Sequence, residues 1–177
     1  MDRKKKNIVE LTNCSTKEYK EIIKYPVKVL TDNVRSMYNI GAIFRTCDAF
    51  LIDEIILGGI SGRPPHAEIT KTALGAEETV NWRHVDNSEE EIIRLKREGW
   101  KICVLEQTHG SIPLSEFYIE EGKKYALIVG NEVNGVDQRL IDLSDYVLEI
   151  PQYGVKHSLN VSSSASIALW HIFHQFK

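Results

Sequence analysis

The chain of 177 residues is long enough for one domain with a substantial core. Its 42% apolar and 27% charged residues are typical of a globular protein, and no apolar run approaches the roughly 20 residues of a membrane helix. The net charge of −3 gives no overall attraction to nucleic acid, although a local basic stripe remains compatible with an RNA partner. The N-terminus lacks the apolar segment of a secretory signal, so we expect a cytoplasmic location. Three cysteines without a Cys-x-x-Cys pair favour neither a disulfide framework nor a zinc site.

The first elements form an extension and a β-α-β unit. Residues 16–24 predict a short helix with Thr16 as its N-cap, ended by Pro26. We therefore expect an N-terminal extension at 1–26 and a single domain at 27–177. Within that domain a strand at 27–33, a helix at 39–52 capped by Asn39 and a strand at 53–59 follow from the apolar spacing.

The rest of the chain alternates in the same way. We predict a short helix at 67–74, a strand-like segment at 79–85, a helix at 88–99 capped by Ser88, strands at 100–107, 125–131 and 146–152, a short helix at 135–144 and a long last helix at 158–176. Apolar strands separated by helices are typical of a parallel sheet that helices cover on both faces. The predicted fold is therefore an α/β domain with a mostly parallel sheet of five or six strands.

Three loops at predicted strand ends have unusual compositions. They read EQTHG at 106–110, GNEVNG at 130–135 and PQYGVKHSLN at 151–160. Because ligands of open parallel sheets bind beyond the carboxyl ends of the strands, we expect these loops to form one concave pocket.

Several common site classes lack their motifs. There is no G-x-G-x-x-G after the first strand, no P-loop and no G-x-S-x-G elbow that would support a hydrolase with Ser158 or Ser162, His157 and Asp137. The six histidines lack metal-ligand spacing, so no metal site is expected.

Three segments together resemble a known family. NVRSMYNIGAIFRTCDAF (33–50), LIVGNEVNGV (127–136) and LEIPQYGVKHSLNVSSSASIALW (148–170) are similar, in order, to motifs 1, 2 and 3 of the SpoU/TrmH family of the SPOUT methyltransferases. The resemblance implies methylation of a ribose 2′-hydroxyl in tRNA or rRNA with S-adenosyl-L-methionine as cofactor. It also implies a homodimer and a deep trefoil knot in the C-terminal part of the chain, which periodicity alone cannot predict.

The resemblance also implies roles for individual residues. Those matching catalytic positions are Asn39, Arg45, Glu132, Ser158 and Asn160. Those expected at the cofactor are Leu105, Glu106, Gln107, Gly130, Ile150, Ser158 and Leu159. A guanidinium is a poor base, so we expect Arg45 to hold an RNA phosphate and to lower the pKa of the hydroxyl electrostatically. As structural alternatives, Asn39, Ser158 and Asn160 are helix caps, Glu132 is a solvated acid and Arg45 forms a salt bridge on a helix surface.

Two other functions remain open at this stage. One is a non-catalytic RNA-binding protein with the same fold, against which all five motif residues argue, and the other is a metabolic enzyme, favoured only by the net charge. For the dimer, the last helix offers more apolar side chains than a helix packed on one side needs: Ile167, Leu169, Trp170, Ile172, Phe173 and Phe176. The alternative is that this helix is buried in the core of its own chain.

Overall fold

A computed structural model of the chain describes residues 4–6 and 14–177. Its strands are β1 Tyr25–Asp32, β2 Ile52–Gly58, β3 Trp82–Val85, β4 Trp100–Leu105, β5 Ile112–Pro113, β6 Lys124–Val129 and β7 Tyr146–Glu149. Its α-helices are α1 Thr16–Glu21, α2 Met37–Ala49, α3 Ala67–Ala73, α4 Ala76–Thr79, α5 Ser88–Arg97, α6 Gln138–Leu143 and α7 Val161–His174, and a 3₁₀ turn spans Leu114–Glu116. Part of the predicted extension, residues 1–3 and 7–13, lies outside the described residues.

All seven strands belong to one parallel sheet. The order is β3-β2-β1-β6-β4-β7-β5, and every neighbouring pair runs parallel. The predicted α/β class is confirmed, whereas the predicted count of five or six strands was too low. The strand that the sequence missed is β5, whose two residues are too few to show a periodic pattern.

Helices cover both faces of the sheet, because the strands bury alternate side chains on opposite sides. Val29 packs in the cluster that includes α2 and α7, while its neighbour Leu30 packs with Ile92 of α5 and Leu140 of α6. Both strand residues are fully buried, as expected for a central strand.

The order of the strands departs from the order of the chain in one informative place. β7 follows β4 and β5 in the sequence but lies between them in the sheet. The segment that connects β4 to β5 must therefore pass across the carboxyl end of β7, where the chain continues toward α7.

Helix starts differ from the predicted ones by one to three residues. Ser15, not Thr16, caps α1 in a capping box with Glu18, and Asn87, not Ser88, caps α5. Ser36, not Asn39, caps α2 by accepting from the Asn39 N–H at 3.3 Å. In each case a side-chain hydroxyl or amide before the predicted cap accepts hydrogen bonds from the free N–H groups of the first helical turn.

The polar stretch before α7 is a loop and a cap rather than a helical turn. The helix begins at Val161 instead of the predicted 158, and the Asn160 side chain accepts from the N–H groups of Ser162 and Ser163 at 3.0 and 3.3 Å. Next along the helix, the Ser166 hydroxyl lies 2.7 Å from that of Thr46 on α2. Small hydroxyl residues therefore let α7 approach α2 closely.

Candidate active site

The three strand-end loops line one cavity, as the sequence predicted. Its volume is about 680 Å³, within the range of about 300–1,000 Å³ usual for small-molecule and cofactor sites. The lining includes most of the predicted site residues: Leu105, Glu106, Gln107, Gly130, Glu132, Ile150, Ser158, Leu159 and Asn160.

A chain of hydrogen bonds joins the three motifs beside this cavity. Asn39 Nδ2 donates to Glu132 Oε1 at 3.0 Å, and Asn160 Nδ2 donates to Asn39 Oδ1 at 3.0 Å. Asn160 is thus both the cap of α7 and a member of this network. Because Asn39 is only 8% exposed, both ends of its amide need partners within the protein.

The Glu132 carboxylate also binds the start of the segment that leads into α2. Its two oxygens accept the N–H groups of Ser36 at 3.0 Å and Arg35 at 3.3 Å. Partial burial tends to raise the pKa of Glu132, but hydrogen bonds from Asn39 and from backbone N–H groups outweigh it and lower the pKa below 4.5. Glu132 is therefore an anion at neutral pH that holds motif 1 against motif 2.

Glu106 and Gln107 face the neighbouring loops. Glu106 Oε2 accepts the Val136 N–H at 3.0 Å, and Oε1 accepts the Gln107 N–H at 2.9 Å. Gln107 Nε2 donates to the His157 carbonyl at 2.9 Å and so joins the β4 loop to the loop before α7. Both side chains are thus engaged with protein groups at the edge of the cavity.

The 130–136 loop closes tightly on itself. Asn131 and Gly135 exchange two backbone hydrogen bonds at 3.0 and 2.9 Å. A Cβ at Gly130 would lie 2.2 Å from the carbonyl carbon of Gly135, so a side chain there would meet loop backbone. The requirement for glycine at 130 comes from this close approach within the loop.

The remaining cavity walls suit a ligand with a flat apolar part and several polar groups. Leu159 is 42% exposed, and Leu105, the last residue of β4, and Ile150, directly after β7, are half-buried. Irregular backbone at 150–160 offers N–H and C=O groups beside them. S-adenosylmethionine, with an adenine ring, a ribose and an amino-acid tail, fits this set of walls.

Arg45 lies apart from this cavity. It is exposed on α2 and lines a second, open hollow of about 620 Å³ together with Lys71, Thr46, Ser162 and Ser163. The first turn of α7 separates the two hollows, with Asn160 and Ser164 on the side of the first cavity and Ser162 and Ser163 on the side of Arg45. Within one chain, therefore, Arg45 does not line the cavity that the other motif residues surround.

The structure adds site residues that sequence reasoning missed. Ser36 supplies the N–H group that Glu132 accepts, and Asp32 at the end of β1 accepts the Asp137 N–H at 3.1 Å. The position of Asp32 as the last residue of a buried strand was the available signal for it.

Within residues 4–6 and 14–177, no group of three His, Cys, Asp or Glu side chains could hold a metal ion. No helix in the same part of the chain is long and apolar enough to cross a membrane.

Comparison with known proteins identifies the family. The model of the SpoU rRNA methylase family matches residues 26–170. The chain belongs to the SpoU methylase family. This SpoU chain is 30% identical to a curated relative, the tRNA (guanosine(18)-2′-O)-methyltransferase of Aquifex aeolicus, over 93% of its own length and 74% of the length of the relative. It is 34% identical to the 23S rRNA (guanosine(2553)-2′-O)-methyltransferase RlmP of Bacillus subtilis, over 81% of its own length and 56% of the relative.

Solved structures agree with the assignment to the SpoU family. The crystal structure of the A. aeolicus TrmH/SpoU tRNA modifying enzyme has a TM-score of 0.80 at 28% identity, covering 90% of this chain and 81% of that one. An AdoMet-bound rRNA methyltransferase from Sinorhizobium meliloti has a TM-score of 0.76 at 28% identity, covering 86% of this chain and 58% of that one. The chain therefore spans only part of several of these relatives.

Proposed function

We propose that this protein is an S-adenosylmethionine-dependent methyltransferase that methylates a ribose 2′-hydroxyl in tRNA or rRNA, in the cytoplasm. The observation that carries the proposal is the hydrogen-bonded set of Glu132, Asn39 and Asn160, which brings all three family motifs to the edge of one cofactor-sized cavity. Intact motifs also favour an enzyme over a protein that only binds RNA.

In this mechanism each motif has a separate task. Bound S-adenosylmethionine supplies an activated methyl group for the 2′-oxygen. The loops that carry Gly130, Ile150 and Leu159 bind and orient the cofactor through backbone groups and apolar contacts. Glu132, Asn39 and Asn160 fix the first turns of α2 and α7, so that no rearrangement is needed when RNA arrives.

Arg45 acts on the RNA. Its planar guanidinium can hold a phosphate in a bidentate contact. That positive charge lowers the pKa of the nearby 2′-hydroxyl and stabilises the developing oxyanion. Its exposed position in a hollow with Lys71 supports a role toward a polyanion rather than toward the protein core.

The C-terminal part of the chain is threaded into a trefoil knot. Support comes from the strand order, because β7 lies between β4 and β5 in the sheet although it follows both in the chain. The hydrogen bond from Gln107 to the His157 carbonyl joins the segment after β4 to the segment after β7, as such a knot requires. The knot brings the 106–110, 130–136 and 151–160 loops together around the cofactor.

The active form is a homodimer in which Arg45 of one subunit serves the cofactor cavity of the other. Two observations support it: Arg45 does not line the cavity of its own chain, and Ile167 and Trp170 on α7 remain 44% and 53% exposed. The other apolar residues predicted for this interface pack within the chain, since Leu169 and Ile172 are fully buried and Phe173 stacks on Phe50 at 5.1 Å.

The first experiment is methyl transfer from labelled S-adenosylmethionine to total tRNA and rRNA, followed by mapping of 2′-O-methyl sites in cells with and without the gene. Arg45→Ala should lose at least about a hundredfold in transfer while retaining cofactor affinity, because its contacts are with the RNA and the transition state rather than with the cofactor. Arg97→Ala is the matched control, since Arg97 is exposed on α5 at the opposite sheet face. Absence of transfer to any RNA by the wild-type protein would contradict the proposal.

Mixing inactive variants tests the shared site. Arg45→Ala and Leu159→Asp should each be inactive alone, whereas mixed subunits should recover about one quarter of wild-type activity, because half of the dimers then contain one complete site. No recovery in a mixture shown to contain heterodimers would place Arg45 at its own cavity.

A further inference from the structure

The loop after β6 is anchored at its exit by two carboxylates from the neighbouring strands. Glu106 follows β4 directly and accepts the Val136 N–H at 3.0 Å. Asp32 ends β1 and accepts the N–H of the next residue, Asp137, at 3.1 Å. Because β1 and β4 flank β6 on its two sides, the carboxylates hold consecutive N–H groups from opposite directions.

Each carboxylate has further partners that fix its orientation. The other oxygen of Glu106 accepts the Gln107 N–H at 2.9 Å. Asp32 Oδ1 accepts from Asn33 Nδ2 at 2.8 Å and from the Ser88 hydroxyl at 3.3 Å. Asp32 is only 3% exposed, and a buried carboxylate is costly unless such hydrogen bonds satisfy it. Both groups are therefore built into the protein and are not free to follow a ligand.

The loop is shaped to receive the Glu106 carboxylate. Gly135 has a φ of +68°, and a Cβ there would lie 2.1 Å from Glu106 Oε2. The carboxylate thus occupies the space that a side chain at 135 would need, close against the loop backbone.

The same loop lines the proposed cofactor cavity. Glu132, four residues before Val136, accepts a hydrogen bond from Asn39 Nδ2, and the residues from Val129 to Val136 line the cavity. Loss of an anchor at 136 or 137 would let the loop sample other conformations and would lower the population that can bind cofactor.

We infer that Glu106 and Asp32 are positioning residues that hold the 130–137 loop in its cofactor-binding conformation, and that the Glu106 carboxylate is not itself a cofactor ligand. The inference depends on the proposed function only for the identity of the cofactor. It replaces the role that family resemblance implied for Glu106 with one that acts through the loop.

The test compares Glu106→Gln and Asp32→Asn with the wild-type protein in two measurements. Amide hydrogen exchange of residues 130–137 is followed without cofactor, and affinity for S-adenosylmethionine is measured by calorimetry. Each variant should speed exchange at Val136 and Asp137 and weaken cofactor affinity by about tenfold, since a hydrogen bond to a charged group is worth about a decade in an equilibrium constant. With RNA, the KM for S-adenosylmethionine should rise more than kcat falls.

Glu149→Gln is the matched control for exchange. Glu149 lines the same cavity, but its carboxylate accepts from the Ser111 hydroxyl at 2.7 Å, away from the 130–137 loop. It should therefore leave exchange at Val136 and Asp137 at the wild-type rate. If Asp32→Asn fails to fold because Asp32 is buried, Glu106→Gln still provides the test, because Glu106 is only half-buried.

The outcomes are distinguishable. Weaker cofactor binding by Glu106→Gln with unchanged loop exchange would make Glu106 a direct ligand and would overturn the inference. Unchanged exchange and unchanged affinity would overturn it as well. If the wild-type protein binds no S-adenosylmethionine, the proposed function fails, while the exchange rates still decide whether the two carboxylates anchor the loop.

Discussion

Replacement of Asn160 separates the stability of α7 from the organisation of the site. In Asn160→Ala the helix loses a cap for two N–H groups, worth about 1 kcal/mol. Asn39 Oδ1 also loses its donor, which costs about 1–2 kcal/mol at a buried amide. We expect the free energy of unfolding to fall by about 2–3 kcal/mol, equivalent to roughly 4–12 °C in Tm for a chain of this size.

Asn160→Asp is the informative partner variant. Its carboxylate still accepts hydrogen bonds from the Ser162 and Ser163 N–H groups, and the positive N-terminal end of the helix dipole stabilises its negative charge. It cannot donate to Asn39 Oδ1, and it places a second negative charge near Glu132. We therefore expect Asn160→Asp to be more stable than Asn160→Ala. Both variants should lose methyl transfer to a similar extent, because neither can donate to Asn39 Oδ1.

Urea unfolding and single-turnover methyl transfer measure the two effects. An Asn160→Ala protein with wild-type unfolding free energy would refute the capping argument. An Asn160→Asp protein with wild-type transfer rates would show that the link from Asn160 to Asn39 is not needed for activity.

Three further predictions follow from contacts around the site. Gly135→Ala should lower the free energy of unfolding in urea more than Gly75→Ala does. Both glycines have positive φ, but a Cβ at 75 meets nothing within 4 Å, whereas one at 135 meets Glu106. Equal losses of unfolding free energy in the two variants would contradict the close approach. Thr46→Val and Ser166→Ala should show a coupling of about 1 kcal/mol in a double-mutant cycle, since their hydroxyls join α2 to α7, and purely additive effects would rule this contact out. Because the pKa of Glu132 is lowered in the folded state, its carboxylate stabilises the fold above pH 4.5, and this stabilisation is lost as the pH falls through the folded-state pKa. The unfolding free energy of the wild-type protein should therefore fall more steeply on acidification than that of Glu132→Gln. Parallel profiles of unfolding free energy against pH would refute this.

Local pattern was sufficient for most elements, whereas the motif residues were identified by resemblance to the family. Short apolar runs predicted six of the seven strands, and apolar residues at helical spacing predicted the longer helices, because burial in a covered sheet or on a helix face imposes its own pattern. Helix starts were less well predicted at α1, α2, α5 and α7, where several Ser, Thr or Asn residues compete to cap the same N–H groups.

The sequence by itself determined the class of fold, the family and the segments that form the cavity. Only the tertiary structure decided how these segments meet. Strand order and the hydrogen bonds among Glu132, Asn39 and Asn160 depend on residues far apart in the chain. The same holds for the separation of Arg45 from the cavity that the three loops line, and for the hydrogen bonds from the 130–137 loop to Glu106 and Asp32. Residue spacing along a chain constrains neighbours within an element, whereas these contacts depend on which strand lies next to which, and no local period encodes that choice.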